Sequence, residues 1–184
     1  MKSLIFICGP NGVGKTTACW ELMHRLEHSA CVQPEFCSAY NPFVFNEESI
    51  QLNKTIMGDM LASYLQSNLF QYVIWNYGFH GHRKSTFDTI MEKLSALPVE
   101  FRFIPIIFDC SITEHINRMT TDRRDAARIQ RAIENTRDIY QALDYHRINV
   151  TALTVEQTVE EILKIIATEP VEASYSLTPS IIKE

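Results

Sequence analysis

No apolar run in this chain of 184 residues approaches the roughly 18 that a membrane-spanning helix needs. Its first residues enter a strand pattern at once, which reads against a signal peptide. Cysteine offers no framework either. Cys8, Cys19, Cys31, Cys37 and Cys110 are odd in number and scattered, with no C-x-x-C pair. A disulfide scaffold and a zinc site are therefore not expected, and the thiols read as buried groups in a reducing cytosol. Nor is there an excess of positive charge: 17 Lys and Arg stand against 22 Asp and Glu, a net −5 that reads against a nucleic-acid partner. There is no internal repeat and no coiled-coil heptad, so nothing speaks to oligomeric state.

What the chain does have is concentrated at Gly9-Pro10-Asn11-Gly12-Val13-Gly14-Lys15-Thr16, between the apolar run Leu4 to Cys8 and a helix-like run opening at Thr17. This fits G-x-x-x-x-G-K-[ST] at every fixed position, with a strand before it and a helix after it. Gly9, Gly12 and Gly14 free the backbone to take positive φ and approach an anion closely. The N–H groups of Asn11 to Thr17 and the following helix N-terminus can then wrap a phosphate. Lys15 reaches the β- and γ-phosphates as a point charge, and the Thr16 hydroxyl can ligate Mg²⁺. The expected ligand is a nucleoside triphosphate.

Strand and helix signals alternate along the rest of the chain. Strands are expected at Lys2–Cys8, Cys31–Phe36, Tyr72–Asn76, Phe101–Phe108 and Ile148–Val150. Pro105 is an awkward residue for the centre of the fourth. Helices are expected from Lys15 to His28, from Glu47 to Asn68 with Asn46 as N-cap, from Lys84 to Leu97, and from Thr113 past Arg118. Two more are expected, from Asp125 to Leu143 and from a capping box at Thr154 and Gln157 to Ala167. The domain is expected to span 1–167, with a loosely held tail over 168–184. Strands separated by helices imply right-handed crossovers, a parallel sheet, and ligands at the carboxyl ends of the strands.

With that phosphate loop and element order, the sequence resembles the small P-loop kinases of the adenylate kinase and shikimate kinase group. Within it, Asn41 to Glu48 and Trp75 to His80 look like a bacterial branch of shikimate-kinase-like proteins. The resemblance implies a three-layer α/β/α sandwich on a five-stranded parallel sheet of order 2-3-1-4-5. It also implies an acceptor site beside strands two and three, and a helical lid bearing arginines at about 118–131. ATP with Mg²⁺ is the implied cofactor, since the GTPase motif N-K-x-D is absent.

Charge distribution supports such a lid. Between Arg118 and Arg137 six arginines stand against Asp122, Asp125 and Glu134, a local +3 in an acidic chain. Guanidinium groups stabilise the charge spread over a migrating phosphoryl group. Arg124, Arg123 and Arg128 are the leading candidates, ahead of Arg118 and Arg131. The resemblance also places adenine near Arg118 and Asn149 to Leu153. An acid is harder to place. Strand two ends near Glu35, the candidate for taking the acceptor's proton. Asp109, after strand four, is a candidate Mg²⁺ ligand. Strand three ends in Asn76 with no acid following. His80, His82, Tyr77 and Arg83 follow it, facing the implied acceptor pocket.

The expectation is thus a cytosolic kinase acting on a small hydroxyl or phosphate acceptor, with no membrane or nucleic-acid partner. The alternative is a nucleotide-dependent switch or sensor, which the missing acid at Asn76 favours.

Overall fold

The computed structural model describes residues 1–135 and 137–169, so most of the expected tail lies outside the described residues. Five strands, β1 (Lys2–Cys8), β2 (Ser29–Val32), β3 (Tyr72–Asn76), β4 (Phe101–Asp109) and β5 (His146–Asn149), form one sheet of order β2-β3-β1-β4-β5. Every pairing is parallel. The expected order 2-3-1-4-5 is the observed one. The helices are α1 (Lys15–Arg25), α2 (Pro34–Cys37), α3 (Glu47–Gln66), α4 (Arg83–Ser95), α5 (Ile112–Thr121), α6 (Ala126–Asn135) and α7 (Val155–Thr168).

A parallel strand covered on both faces sends alternate side chains into two cores. In β1, Leu4, Phe6 and Cys8 enter one and Ile5 and Ile7 the other. The first core is aromatic and lies under α3 and α4. There Phe6 packs 4.9 Å from both Trp75 and Phe87, and Trp75 stacks on Phe87 at 12° between ring planes. The second core is aliphatic, with Ile74, Ile104 and Ile106 packed against Leu22 of α1 and Ile162 of α7. Both expected N-terminal caps form: Asn46 and Ser49 exchange hydrogen bonds at the start of α3, and Thr154 and Gln157 at the start of α7.

Three boundaries differ from expectation. Strand two is shorter and earlier than Cys31–Phe36, because Pro34, lacking an N–H, opens the short helix α2 behind Gln33. The long helix expected to reach Leu143 stops at Asn135, and a 3₁₀ turn follows at Asp138–Tyr140. Tyr140 there leaves the helical path to enter the aromatic core, where its hydroxyl accepts from the Phe79 N–H at 3.0 Å. Pro105, by contrast, does not interrupt β4. It pairs with Phe6 of β1, and β5 joins only from Ile106 onward, so the missing N–H falls where β4 has a neighbour on one side alone.

Candidate functional site

Gly9, Gly12 and Gly14 carry φ of 138°, 92° and 98°, the backbone expected of them. Gly14 is the N-cap of α1 and supplies no side-chain cap, leaving first-turn N–H groups without a side-chain partner at the helix's positive end. Val13 is buried beneath this cradle. Lys15 Nζ donates to the Gly9 and Pro10 carbonyls, both at 2.8 Å. Burial pulls its pKa down to about 8, opposed by Cys8 and reinforced by Arg83. Thr16 Oγ1 accepts from Asn76 Nδ2 at 3.1 Å, so the end of β3 touches the expected Mg²⁺ ligand with an amide instead of a carboxylate.

A cavity of about 1120 Å³ opens over this loop. Asn11, Gly12, Gly14, Lys15, Thr16 and Thr17 form its floor. Glu35, in the first turn of α2, stands on its wall, as do Asn76, Tyr77, His80 and Arg83 from the end of β3 to the start of α4. Arg118, Arg124, Arg128 and Arg131 line the opposite side. The structure thus brings together the phosphate loop, the acid candidate after strand two and four of the five lid arginines.

The fifth, Arg123, is exposed and absent from the cavity lining. It occupies the left-handed turn between α5 and α6, at φ 56°, with its N–H bonded to the Thr120 carbonyl. Arg131, ranked low from sequence, lines the cavity instead. The signal that could have found it is spacing: Arg128 and Arg131, three residues apart, share a face of α6, and Arg124 stands just before that helix.

Arg118 acts as a clamp. Its Nη1 donates to the Val13 carbonyl at 3.1 Å, Nη2 to the Val150 carbonyl at 2.6 Å, and Nε to Glu114 at 2.8 Å. It therefore joins the phosphate loop to the end of β5, the region where the resemblance placed adenine.

Asp109 lies off this cavity. Its Oδ1 accepts from the Cys110 N–H at 2.8 Å and from Arg137 Nη2 at 3.1 Å. Asp109 is thus paired with Arg137 and stands outside the lining of the cavity over the phosphate loop, and it does not cap α5, since Ser111 does. Arg137 also reaches His115 Nδ1 at 3.3 Å, and His115 Nε2 donates to the Asn11 carbonyl at 2.6 Å. That leaves Nδ1 as acceptor and the ring neutral, in line with burial, which lowers the His115 pKa. None of the Asp109–Arg137–His115–Asn11 chain was legible as a unit, because its members are up to 126 residues apart in sequence.

No family model matches the chain, and no curated protein sequence matches it. Solved structures do. A gluconokinase from Sinorhizobium meliloti 1021 is 15% identical with a TM-score of 0.61, over 90% of this chain and 91% of that one. A shikimate kinase from Acinetobacter baumannii, in complex with shikimate, is 17% identical with a TM-score of 0.61, over 94% and 97%. The Deinococcus radiodurans tunicamycin resistance protein is 17% identical with a TM-score of 0.61, over 90% and 96%. The fold is that of the small P-loop kinases. At these identities the likeness speaks for architecture and leaves the reaction to the site.

Proposed function

We propose that the protein is a kinase that transfers the γ-phosphoryl group of ATP, as its Mg²⁺ complex, to a hydroxyl or phosphate oxygen of a small acceptor. The observation that carries this reading is that Lys15 and the glycine-rich loop share one cavity with Arg124, Arg128 and Arg131. The left-handed glycines form a cradle that fits a phosphate, and ATP supplies the group to be moved. Lys15 and the loop N–H groups hold the phosphates, and the Thr16 hydroxyl is the ligand for the metal.

The arginines stabilise charge on the transferring group and, with the helices that carry them, keep water from it. Glu35 is the acid placed to take a proton from the acceptor. All five cysteines are free and buried, which supports a reducing compartment such as the cytosol. Among the described residues no helix is long and apolar enough to cross a membrane.

The test is ADP release from Mg·ATP by wild type and Lys15→Ala, each with and without pools of sugar acids, nucleosides, nucleoside monophosphates and aminoglycosides. A Lys15-dependent rise with one pool is the expected result. Equal activity in Lys15→Ala overturns the assignment.

Asn76 favours a second reading, a switch or sensor, because an amide beside Thr16 cannot supply the charge of an acid. Tight ATP binding without acceptor-dependent turnover, together with a partner bound only in one nucleotide state, distinguishes it.

A further inference from the structure

The Asn11 carbonyl is an acceptor only, so the ring nitrogen that meets it at 2.6 Å, His115 Nε2, must carry the proton. The other ring nitrogen is fixed from a different side. Arg137 is a donor only, so His115 Nδ1, 3.3 Å from its Nη1, must be bare. Two partners that cannot change role thus demand the same tautomer of a fully buried ring. Burial, the largest cause, together with the cations Arg137, Lys15 and Arg124, lowers the His115 pKa against the opposing effect of the Asn11 carbonyl. Arg137 is itself held. Its Nη2 donates to the Cys110 carbonyl at 2.6 Å and to Asp109 Oδ1 at 3.1 Å, which ties the guanidinium to the end of β4.

The consequence for the phosphate loop follows from peptide geometry. The Asn11 carbonyl and the Gly12 N–H belong to one planar trans unit and point in opposite directions. A carbonyl drawn toward α5 by His115 turns the Gly12 N–H away from that helix, and both residues lie on the cavity floor. In the other tautomer a bare Nε2 would face the carbonyl lone pairs and repel them. Gly12, at φ 92°, has no Cβ to restrict its backbone, so the orientation of this peptide needs a hold from outside the loop.

We infer, resting on the nucleotide-binding part of the kinase reading, that His115 and Arg137 are positioning residues for the phosphate loop: Arg137 holds His115 in its Nε2–H form, and His115 holds the Asn11–Gly12 peptide with the Gly12 N–H toward the phosphates. Neither side chain touches the nucleotide. Asp109, in turn, serves the loop through Arg137. The orientation of a loop donor is thus set by a ring on α5 and a guanidinium anchored on the sheet, by the same logic that lets an outer partner fix the tautomer of a ligating histidine.

Calorimetry with ADP as the probe compares wild type with His115→Leu, His115→Gln, Arg137→Met and the double variant His115→Gln/Arg137→Met. Glutamine carries an N–H donor where Nε2 stands and has no tautomers. His115→Leu is expected to weaken ADP about tenfold, the scale of one misplaced hydrogen bond to a charged group, and His115→Gln to regain most of that. Arg137→Met is expected to weaken ADP to a similar extent beside His115 and hardly at all in the His115→Gln protein. Proton–nitrogen correlation NMR of the ring reads the tautomer directly, with Nε2 protonated in wild type and both forms populated in Arg137→Met. Should His115→Leu fail to fold, the other variants and the ring spectrum decide. An equal loss from Arg137→Met in both backgrounds, no loss from it in either, or a wild-type ring protonated on Nδ1 overturns the inference. So does a His115→Gln protein as weak as His115→Leu. ADP release from Mg·ATP separates the inference from the kinase reading. No acceptor-dependent turnover, with the affinity pattern intact, sinks the kinase and leaves the positioning role standing. Lys15-dependent turnover, with one ADP affinity across all these proteins, does the reverse.

Discussion

Asn76 Nδ2 donates to Thr16 Oγ1 across 3.1 Å, and this contact ties the last residue of β3 to the second residue of α1. Replacing the amide by a carboxylate keeps the shape and reverses the sense of the bond, so that the Thr16 hydroxyl donates. Asn76→Asp is expected to tighten Mg²⁺ dependence and raise turnover by about tenfold, the scale of one added charge–charge contact worth about 1.4 kcal/mol. Titrating ADP release with Mg²⁺ checks this. Unchanged Mg²⁺ dependence would mean that the metal does not approach residue 76.

Lys15 is held near a pKa of 8 chiefly by burial, below its ordinary 10.5. Two effects follow. ATP affinity falls as the free protein passes above pH 8, by about tenfold near pH 9, because the phosphates lose their cation unless they pull its proton back. Stability moves the other way. The unfolded chain binds that proton more strongly than the folded one, so this group's contribution to stability rises between pH 8 and 10.5. Calorimetry with ATP and urea unfolding across pH 7 to 10 separate the two trends, and Lys15→Met abolishes both.

Removing the Arg118 side chain strips donors from the Val13 and Val150 carbonyls together. Arg118→Ala is expected to cost about 2 kcal/mol in urea unfolding and to weaken ATP binding through the slackened loop. Lysine restores little, since one ammonium cannot replace the forked donor that spans both carbonyls.

Gly12 sits against α5. A Cβ there would meet Met119 Cγ at 2.6 Å, and its φ of 92° suits no L side chain. Gly12→Ala is therefore expected to destabilise by about 2 kcal/mol, from strain plus contact. Adding Met119→Ala relieves the contact and leaves the strain, so a double-mutant cycle by thermal unfolding should recover only part of the loss.

The phosphate loop and most strands were readable because glycine, lysine and threonine at fixed spacing and long apolar runs are local signals; the order of the sheet came only from the family resemblance. The Asn46 and Thr154 caps were readable for the same reason. The end of the helix before Tyr140 was not, because a tertiary bond to Phe79 decides it. Arg123 lies outside the cavity lining and Arg131 within it for a related reason: the first sits in the left-handed turn before α6, whereas the second shares a face of that helix with Arg128. Asp109 carried the look of a metal acid, and only the fold could reveal that Arg137 occupies it.

Three separate contacts fasten α5 to the nucleotide loop: Met119 over Gly12, His115 on the Asn11 carbonyl and Arg118 on that of Val13. Fixed at three points, loop and helix are expected to move together in any closure of the lid. Any swing of the arginine arm then has its pivot beyond Met119, at the turn through Arg123. On the lid reading, Arg128 and Arg131 are expected to ride on the far side of that pivot, while Arg118 keeps its hold on the phosphate loop.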